Sequence, residues 1–309
     1  MSFSTRFDPV GTDVNYGRAT VLFGVGNGKY PDGNAIVVTG SDASALIDPT
    51  LTVHQRGEQL APAVDMVLLS HAHEDHMAGL SRFPHADVHV HHADHQGVTH
   101  LEGLMDIYGM LDAEFEQHWR HEVVQQFNYR GRPDARSFND DTVFDLGGAS
   151  VQVIPLPGHT RGHCGFLIEP DGLFYMADID LSSFGPYYAD AWSNLDAMEA
   201  SLTRCAEVDA RRYATFHHKG VFEDRASYLA ALRDFRQVIA RRESAMLAFL
   251  SEPRTLDELI VQRFLYRPDV TLGWVDGAER RTAVAHLNRL IPAGAVQEIE
   301  PGRYRTMAA

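Results

Sequence analysis

The chain has 309 residues, with 42 acidic and 27 basic side chains, a formal net charge of −15, 17 histidines and 2 cysteines. Two cysteines cannot build a disulfide framework, and an acidic surface repels phosphate backbones, so a disulfide-rich secreted scaffold and a generic nucleic-acid binder are both disfavoured. The N-terminal segment has neither a basic nor an apolar leader region, and no stretch reaches the roughly 18 apolar residues of a membrane helix. We therefore expect a soluble, unexported cytoplasmic protein without a membrane partner.

Short apolar runs bounded by turn residues predict two blocks of β-strands. The first block covers residues 18–25, 34–40, 44–49 and 64–70. The second block covers residues 150–156, 165–170 and 172–178. A helix is predicted next, because Leu195, Met198, Leu202 and Cys205 recur at helical spacing. Strands in two sets with helices between and after them predict an α/β fold of two sheets faced by helices.

The segment over about 93–140 lies between the two strand blocks and is long, polar and compatible with helix. It is longer than an ordinary connection, so we expect an inserted helical lid or wall. A long amphipathic helix is predicted over 223–250, and it bridges to a small C-terminal unit over 251–309.

The C-terminal unit carries signals for two helices and a hairpin. Thr255 and Glu258 form a capping box at the start of the first helix. The second helix is expected to turn Val284, Leu287 and Ile291 inward, and a hairpin is expected to turn at Pro301-Gly302. Helix, helix and hairpin in this order resemble a winged helix.

Residues 71–76 read His-Ala-His-Glu-Asp-His and directly follow the apolar run over 64–69. A lone histidine on an apolar face is more often a packed core residue than a ligand. Imidazoles and a carboxylate concentrated in one hexapeptide are different, because alternate residues of such a loop can point into one cavity and hold a metal ion. The motif therefore predicts a metal site at the end of a strand.

This hexapeptide resembles the first motif of the metallo-β-lactamase superfamily, H-x-H-x-D-H. Three later segments resemble the other motifs of that family in the same order: 157–166, which contains His159; 174–178, which ends in Asp178; and 212–220, which contains His217. The resemblance covers residues from about 20 to 220. It implies an αββα metallo-β-lactamase-like sandwich as the catalytic domain, over 1–222.

The resemblance also implies two metal ions and a complete ligand set. The ligands would be His71, His73 and His159 for one ion, Asp75, His76 and His217 for the other, and Asp178 as the bridge. Asp75 is in addition the candidate catalytic residue. Imidazole and carboxylate ligands without thiolate independently favour a divalent ion, with zinc expected first and iron or manganese as alternatives.

Two ligand assignments stay open. His217 and His218 are adjacent, and His217 is preferred because it directly ends the predicted strand. Asp180 rivals Asp178, because residues two apart point to the same side of an extended chain. Asp178 is preferred because it follows a small residue at the strand end, as in the family pattern.

Other residues near these motifs have two interpretations each. Asp48 either supports the metal loop or simply ends a strand, and His163 either supports a ligand or is a polar loop residue. Phe184, Tyr187 and Tyr188 follow the bridging aspartate and are candidates for substrate binding, or they pack the loop onto the core.

The sequence thus predicts a dinuclear metal-dependent hydrolase that uses a metal-bound hydroxide to cleave an ester, thioester, lactone or amide bond in a small molecule. One alternative is a metal-dependent phosphodiesterase or ribonuclease, which the net charge of −15 disfavours. Another is a ligand-sensing regulator whose winged helix binds DNA, although acidic residues dilute the positive charge of that unit. The sequence also leaves open whether the protein forms a homo-oligomer.

Overall fold

The computed structural model describes residues 13–307. Residues 1–12, on which the expectation of an unexported protein partly depends, lie outside the described residues, as do 308 and 309. No helix within 13–307 combines the length and the apolar composition that crossing a bilayer requires.

The strands of the described chain form three sheets. The first sheet has seven strands in the spatial order β1 (Val14–Asn15), β2 (Ala19–Leu22), β3 (Ala35–Thr39), β4 (Ser44–Ile47), β5 (Met66–Leu69), β6 (Asp87–His91) and β7 (Arg136–Phe138). The second has six strands, which follow the chain as β8 (Val143–Asp145), β9 (Ser150–Pro155), β10 (Cys164–Glu169), β11 (Leu173–Tyr175), β12 (Arg212–Ala214) and β13 (Val221–Phe222). The third is small and contains β14 (Arg254–Thr255), β15 (Val296–Glu300) and β16 (Arg303–Thr306).

Strand directions are mixed in both large sheets. In the first sheet, β1 to β4 are antiparallel and β4 to β7 are parallel. In the second sheet, β11 and β12 are parallel and the other neighbours are antiparallel. Neighbouring parallel strands have their carboxyl ends at the same edge of the sheet. The predicted metal ligands lie at this edge.

Helices cover the outer faces of both large sheets. The helices of the described chain are α1 (Val25–Gly28), α2 (Leu51–Gln55), α3 (Gly57–Leu60), α4 (His95–Thr99), α5 (Leu101–Tyr108), α6 (Ala113–Gln125), α7 (Leu195–Glu207), α8 (Arg225–Phe249), α9 (Leu256–Gln262) and α10 (Val275–Leu290), with short 3₁₀ turns at Ala61–Ala63, Leu80–Arg82 and His92–Asp94. Helices α2 to α6 pack on the first sheet, and α7 and α8 pack on the second. The architecture is therefore the expected αββα sandwich.

Side-chain alternation along the strands divides the core into layers. In β3, Ile36 and Val38 belong to the core between the two sheets, whereas Val37 belongs to the core under the helices of the first sheet. Successive strand residues point to opposite faces, so a strand that is apolar at every position is covered on both sides. The continuous apolar runs of the sequence reflect this double burial.

The segment predicted as a helical insertion over 93–140 is helical only in part. It contains α4, α5 and α6, but its last portion forms β7, which pairs in parallel with β6 and extends the first sheet. Phe138 of β7 is buried in the core between the sheets. Three residues are too few to carry a periodic signal, which is why the strand was not predicted.

The C-terminal unit from residue 251 onward contains β14, α9, α10 and the β15–β16 hairpin. The capping box of Thr255 and Glu258 is present. Leu287 faces the core of the unit as predicted, but Val284 and Ile291 are exposed, and Ala283 and Leu290 are buried in their place. The apolar stripe of α10 is displaced because this helix also packs on the loop after Asp178.

Candidate metal centre and cavity

The predicted metal-type residues come from loops at the ends of four strands. His71 to His76 follow β5 of the first sheet. In the second sheet, His159 follows β9, Asp178 follows β11 and His217 follows β12. The sandwich therefore brings together residues from both sheets at one edge.

These side chains form two groups, in each of which the potential ligand atoms lie within 4.8 Å of one another. The first group contains His71, His73, His159 and Asp178, and the second contains Asp75, His76 and His217. We call these seven residues the ligand cluster. Its members are buried, apart from the partly exposed Asp178.

Asp178 lies between the two groups. Its Oδ1 is 3.0 Å from His76 Nε2, and its Oδ2 is 3.0 Å from His159 Nε2. Burial opposes the charge of this carboxyl, but the facing imidazoles of His76 and His159 hold its pKa well below the usual range. An ionised carboxylate with one oxygen toward each group has the geometry of a bridging ligand.

The outer ring nitrogens of three histidines are engaged in hydrogen bonds. His76 Nδ1 donates to Asp48 Oδ2 at 2.9 Å, His159 Nδ1 donates to the Tyr187 carbonyl at 3.1 Å, and His217 Nδ1 donates to the Gly28 carbonyl at 2.7 Å. Each bond fixes the ring and leaves Nε2 facing the cluster as a lone-pair donor.

His73 has the opposite orientation. Its Nδ1 lies 3.0 Å from His159 Nε2 inside the cluster, and its Nε2 lies 3.3 Å from Asp190 Oδ2. Asp190 therefore faces the ring from outside at ion-pair distance, on the side where carboxylates orient metal-binding histidines.

His71 provides a direct test of whether a metal ion fits. Its Nδ1 is 3.0 Å from Ser70 Oγ, whereas its Nε2 is buried and has no hydrogen-bond partner among the described residues. A buried polar atom without a partner is costly, and an imidazole nitrogen in this position suits a metal ion. The donor set contains nitrogen and oxygen but no sulfur, so the residues fit a divalent cation.

The residues with two interpretations have defined places. Asp48 is fully buried and, besides His76, accepts hydrogen bonds from the Ser70 amide and the Tyr175 hydroxyl. His163 is also buried; its Nδ1 donates to the Leu156 carbonyl and its Nε2 accepts from the Asp178 amide. Burial and the neighbouring His159 lower the pKa of His163 to about 3, so this ring is neutral. Both residues thus support the ligand cluster.

The two rivals among the predicted ligands lie outside the two ligand groups. His218 is exposed, with a left-handed backbone at a φ of 60°. Asp180 accepts a hydrogen bond from the Ser182 amide at 2.9 Å, and burial raises its pKa to about 6. Neither residue belongs to the two ligand groups. The geometry favours His217 and Asp178.

Several residues of the site were missed by sequence reasoning. Glu74 lies inside the histidine motif and accepts hydrogen bonds from the hydroxyls of Tyr30 and Tyr108; burial and the adjacent Asp75 raise its pKa to about 7. Its place in the motif was an available signal.

Asp94 gave no sequence signal. This buried carboxylate accepts hydrogen bonds from Thr160 Oγ1 at 2.5 Å, from the Gly162 amide at 2.7 Å and from the Ala72 amide at 3.2 Å. It therefore ties the first histidine loop to the second, which are far apart in sequence.

A cavity of about 800 Å³ opens beside the ligand cluster, within the range of about 300–1,000 Å³ that is typical of small-molecule sites. Asp75, His159, Asp178 and His217 line one end, which we call the metal end. The predicted substrate-binding residues divide here. Phe184 and Tyr187 line the cavity, whereas Tyr188 does not.

The Tyr188 side chain is 2% exposed and points elsewhere: its hydroxyl donates to His286 Nε2 at 3.0 Å. The prediction for Tyr188 is corrected on this ground. Adjacent residues of an extended loop face opposite sides, so Tyr187 and Tyr188 could not both line the cavity.

The protein has two sheets between layers of helices, and loops rich in histidine and aspartate meet at one edge of the sheets. These features define a class of αββα proteins with a site suited to metal ions. The family model of the metallo-beta-lactamase superfamily matches residues 30–238, more than half of the chain. The chain belongs to this superfamily, as its motifs had indicated.

Individual relatives are more distant. A probable metallo-hydrolase of Mycobacterium tuberculosis is 30% identical over 104 residues, which are 33% of this chain and 32% of the relative. An acyl-coenzyme A thioesterase of Homo sapiens is 25% identical over 163 residues, which are 46% of this chain and 57% of the relative. The matched regions thus span less than two thirds of either curated relative.

A solved structure is similar over nearly the whole chain. The crystal structure of a metallo-beta-lactamase family protein from Thermus thermophilus has 24% sequence identity and a TM-score of 0.64, and the match covers 89% of this chain and 94% of that one. At this identity the likeness shows the fold alone.

Proposed function

We propose that this protein is a dinuclear metal-dependent hydrolase that cleaves a carboxylic ester, thioester, lactone or amide in a small molecule. In this proposal residues 1–222 form the catalytic domain, 223–250 the bridging helix, and 251–309 a winged-helix-like module that packs beside the site. The observation that carries the proposal is Asp178, whose two oxygens face two separate groups of imidazoles at one end of a cavity.

The ligand cluster would hold two divalent ions, with zinc as the first candidate. Bound there, the ions would lower the pKa of water near neutrality and polarise a substrate carbonyl. The groups around the cluster contribute by positioning, since Asp48, the Tyr187 carbonyl and the Gly28 carbonyl hold three imidazole rings in fixed orientations. Preorganisation of this kind avoids reorganisation during the reaction.

A thioester is the first candidate for the bond. The human relative is named a thioesterase, and the cavity beside the metal end has room for a small acyl compound. In the hydrolysis, the oxygen of water forms a bond to the carbonyl carbon and the bond to the leaving group breaks. The products are a carboxylic acid and the protonated leaving group, so no further reactant is needed.

The net charge of −15 argues against the alternative of a nuclease or DNA-binding regulator. The arginines of the C-terminal unit are also largely paired: Arg280 lies 3.0 Å from Asp257, and Arg289 lies 2.8 Å from Asp196. Paired surface arginines leave little net attraction for a phosphate backbone.

The test combines metal analysis with turnover. Protein purified without chelators is expected to contain about two metal equivalents per chain and to hydrolyse small thioesters or esters, with loss of activity after chelation. Duplex DNA and single-stranded RNA are expected to be neither bound at low salt nor cut. Absence of tightly bound metal, or cleavage of RNA without turnover of any thioester or ester, would contradict the proposal.

A further inference from the structure

The part of the cavity away from the metal end is lined mainly by apolar side chains. It lies between the α5–α6 region and the C-terminal unit, and we call it the apolar compartment. Its lining includes Leu111, Phe115, Trp119, Ile260, Leu272 and Trp274. Because this compartment is continuous with the metal end, a molecule that occupies it can present a reactive group to the ligand cluster.

An aromatic contact between two distant parts of the chain lies in the wall of the compartment. The Trp274 ring lies 5.8 Å from both the Phe115 and the Trp119 ring centroids. Gly273 permits this approach, because a Cβ at that position would lie 2.2 Å from the Phe115 ring. The close packing of these rings therefore depends on glycine at position 273.

Buried polar groups hold the C-terminal side of the compartment in place. Glu279 is fully buried, and its carboxylate accepts hydrogen bonds from the backbone amides of Phe264 at 2.8 Å and Tyr266 at 2.7 Å. Tyr266 also lines the cavity, and its hydroxyl accepts from Trp274 Nε1 at 3.2 Å. With its lining residues fixed in this way, the compartment is preformed.

The mouth of the compartment exposes large apolar side chains. Val261 is 78% exposed, Leu111 59% and Leu272 49%, and all three line the cavity. Clustered apolar exposure marks a binding surface, whereas single exposed residues are ordinary. Charged residues also line the cavity, and ion pairs join Arg280 to Asp257 at 3.0 Å and Asp276 to Arg263 at 3.1 Å. Arg281 donates to the Gly109 carbonyl, and Asp112 accepts from the Phe115 amide.

We infer that the apolar compartment binds the acyl chain of the substrate, so that the substrate class is esters or thioesters of medium-chain aliphatic carboxylic acids. The inference rests on the proposed hydrolase function and extends it to the acyl group. The carbonyl would lie at the metal end and the chain would extend toward Trp274. Each methylene buried there should raise kcat/KM about fourfold, the equivalent of about 0.8 kcal/mol.

The first experiment measures kcat/KM for thioesters of one small thiol with straight acyl chains of increasing length, each below its micelle concentration. We expect a steep rise from acetyl to octanoyl and a plateau where the compartment is full. A flat profile, or a preference for acetyl, would overturn the inference while leaving the proposed hydrolase intact.

A variant that fills the compartment sharpens this experiment. Gly277 lines the cavity, and a Cβ there would lie 3.6 Å from Arg281 Nη1 and 3.8 Å from Leu111 Cδ1, which are ordinary contacts. Gly277→Leu keeps α10 intact, because leucine is a better helix former than glycine. The ratio of octanoyl to acetyl kcat/KM is expected to fall about tenfold or more.

Val284→Leu is the matched control for that variant. Val284 lies on the exposed face of the same helix, so the chain-length profile should not change. An unchanged profile in Gly277→Leu, with metal content and thermal stability like those of the unsubstituted protein, would count against the inference.

A binding experiment separates the inference from the proposed function. A terminally brominated decanoate should quench tryptophan fluorescence by contact with Trp119 and Trp274, whereas bromoacetate should not. Trp274→Phe should reduce the quenching, and Trp192→Phe should not, because Trp192 lies outside the cavity lining. Quenching without turnover of any thioester or ester would support the acyl site but overturn the hydrolase; no quenching by the decanoate would overturn the acyl site.

Discussion

The two carboxylate oxygens of Asp178 connect the two groups of the ligand cluster. Each oxygen of its carboxylate faces a different imidazole, His76 or His159, at 3.0 Å. Its backbone amide in turn donates a hydrogen bond to His163 Nε2 at 3.2 Å. The carboxylate is therefore held between the two ligand groups, and the facing imidazoles favour its ionised form.

Asp178→Asn tests this position. The amide has nearly the same shape, but it has lost the charge and one acceptor atom, so the two ions would no longer share a ligand. We expect metal content to fall from about two equivalents to about one and hydrolysis to fall by at least about 100-fold. Metal analysis and thioester turnover are the measurements.

Asp180→Asn is the control for that substitution, because Asp180 lies two residues away and outside the ligand groups. It is expected to keep both metal equivalents. The reverse result, with normal metal content in Asp178→Asn and loss in Asp180→Asn, would make Asp180 the bridge. Circular dichroism should show the same fold in both variants.

At the scale of elements, helix α8 supports the loop that carries Phe184 and Tyr187. Arg242 of α8 is 4% exposed, and its guanidinium donates to the carbonyls of Pro186 at 2.6 Å and Phe184 at 2.7 Å. The same loop offers the Tyr187 carbonyl to His159 Nδ1. A helix on the outer face of the second sheet thus helps to orient a histidine of the ligand cluster.

Arg242→Met tests this connection. Methionine fills similar space but leaves two buried carbonyls without donors, and a hydrogen bond to a charged group contributes about 1.5–3 kcal/mol. We expect the free energy of unfolding to fall by about 2–4 kcal/mol and kcat to fall as the Tyr187 carbonyl moves away from His159. Denaturant unfolding and steady-state kinetics measure the two effects.

Arg241→Met removes the neighbouring arginine, which is exposed. This control should change neither quantity, because surface substitutions usually lie within about 0.5 kcal/mol. Equal effects of the two substitutions would mean that charge on α8 matters more than the bonds to the loop.

At the scale of the whole molecule, the ligand cluster joins the two sheets. Its residues come from β5 on one side and from β9, β11 and β12 on the other. Without bound ions, clustered buried acidic and imidazole groups lack full compensation. Metal binding should therefore stabilise the entire sandwich and not one loop alone.

Chelation tests this coupling. A ligand present at about 1,000 times its Kd stabilises the native state by about 4 kcal/mol, which for a domain of this size corresponds to a Tm shift of about 10 °C. We expect the chelated protein to unfold at a Tm lower by about that amount and zinc to restore it, measured by scanning calorimetry. An unchanged Tm on complete metal removal would show that the ions do not couple the sheets.

The amino-acid sequence determined the local features of this protein. Apolar runs bounded by turn residues predicted the main strands, and helical spacing predicted α7 and α8 to within a few residues. The capping box at Thr255 and Glu258 marked the start of α9. Metal-type residues could be recognised because their spacing at strand ends is a local pattern, and family membership follows from the same motifs.

Only the tertiary structure decided what these local features face. It separated Tyr187 from Tyr188, placed β7 on the first sheet, and showed that Asp94 and Arg242 hold loops far away in sequence. It also joined Trp274 to Phe115 across the cavity. Such contacts depend on how separate segments pack, and neither the periodicity of the sequence nor the metal-binding motifs predicted them.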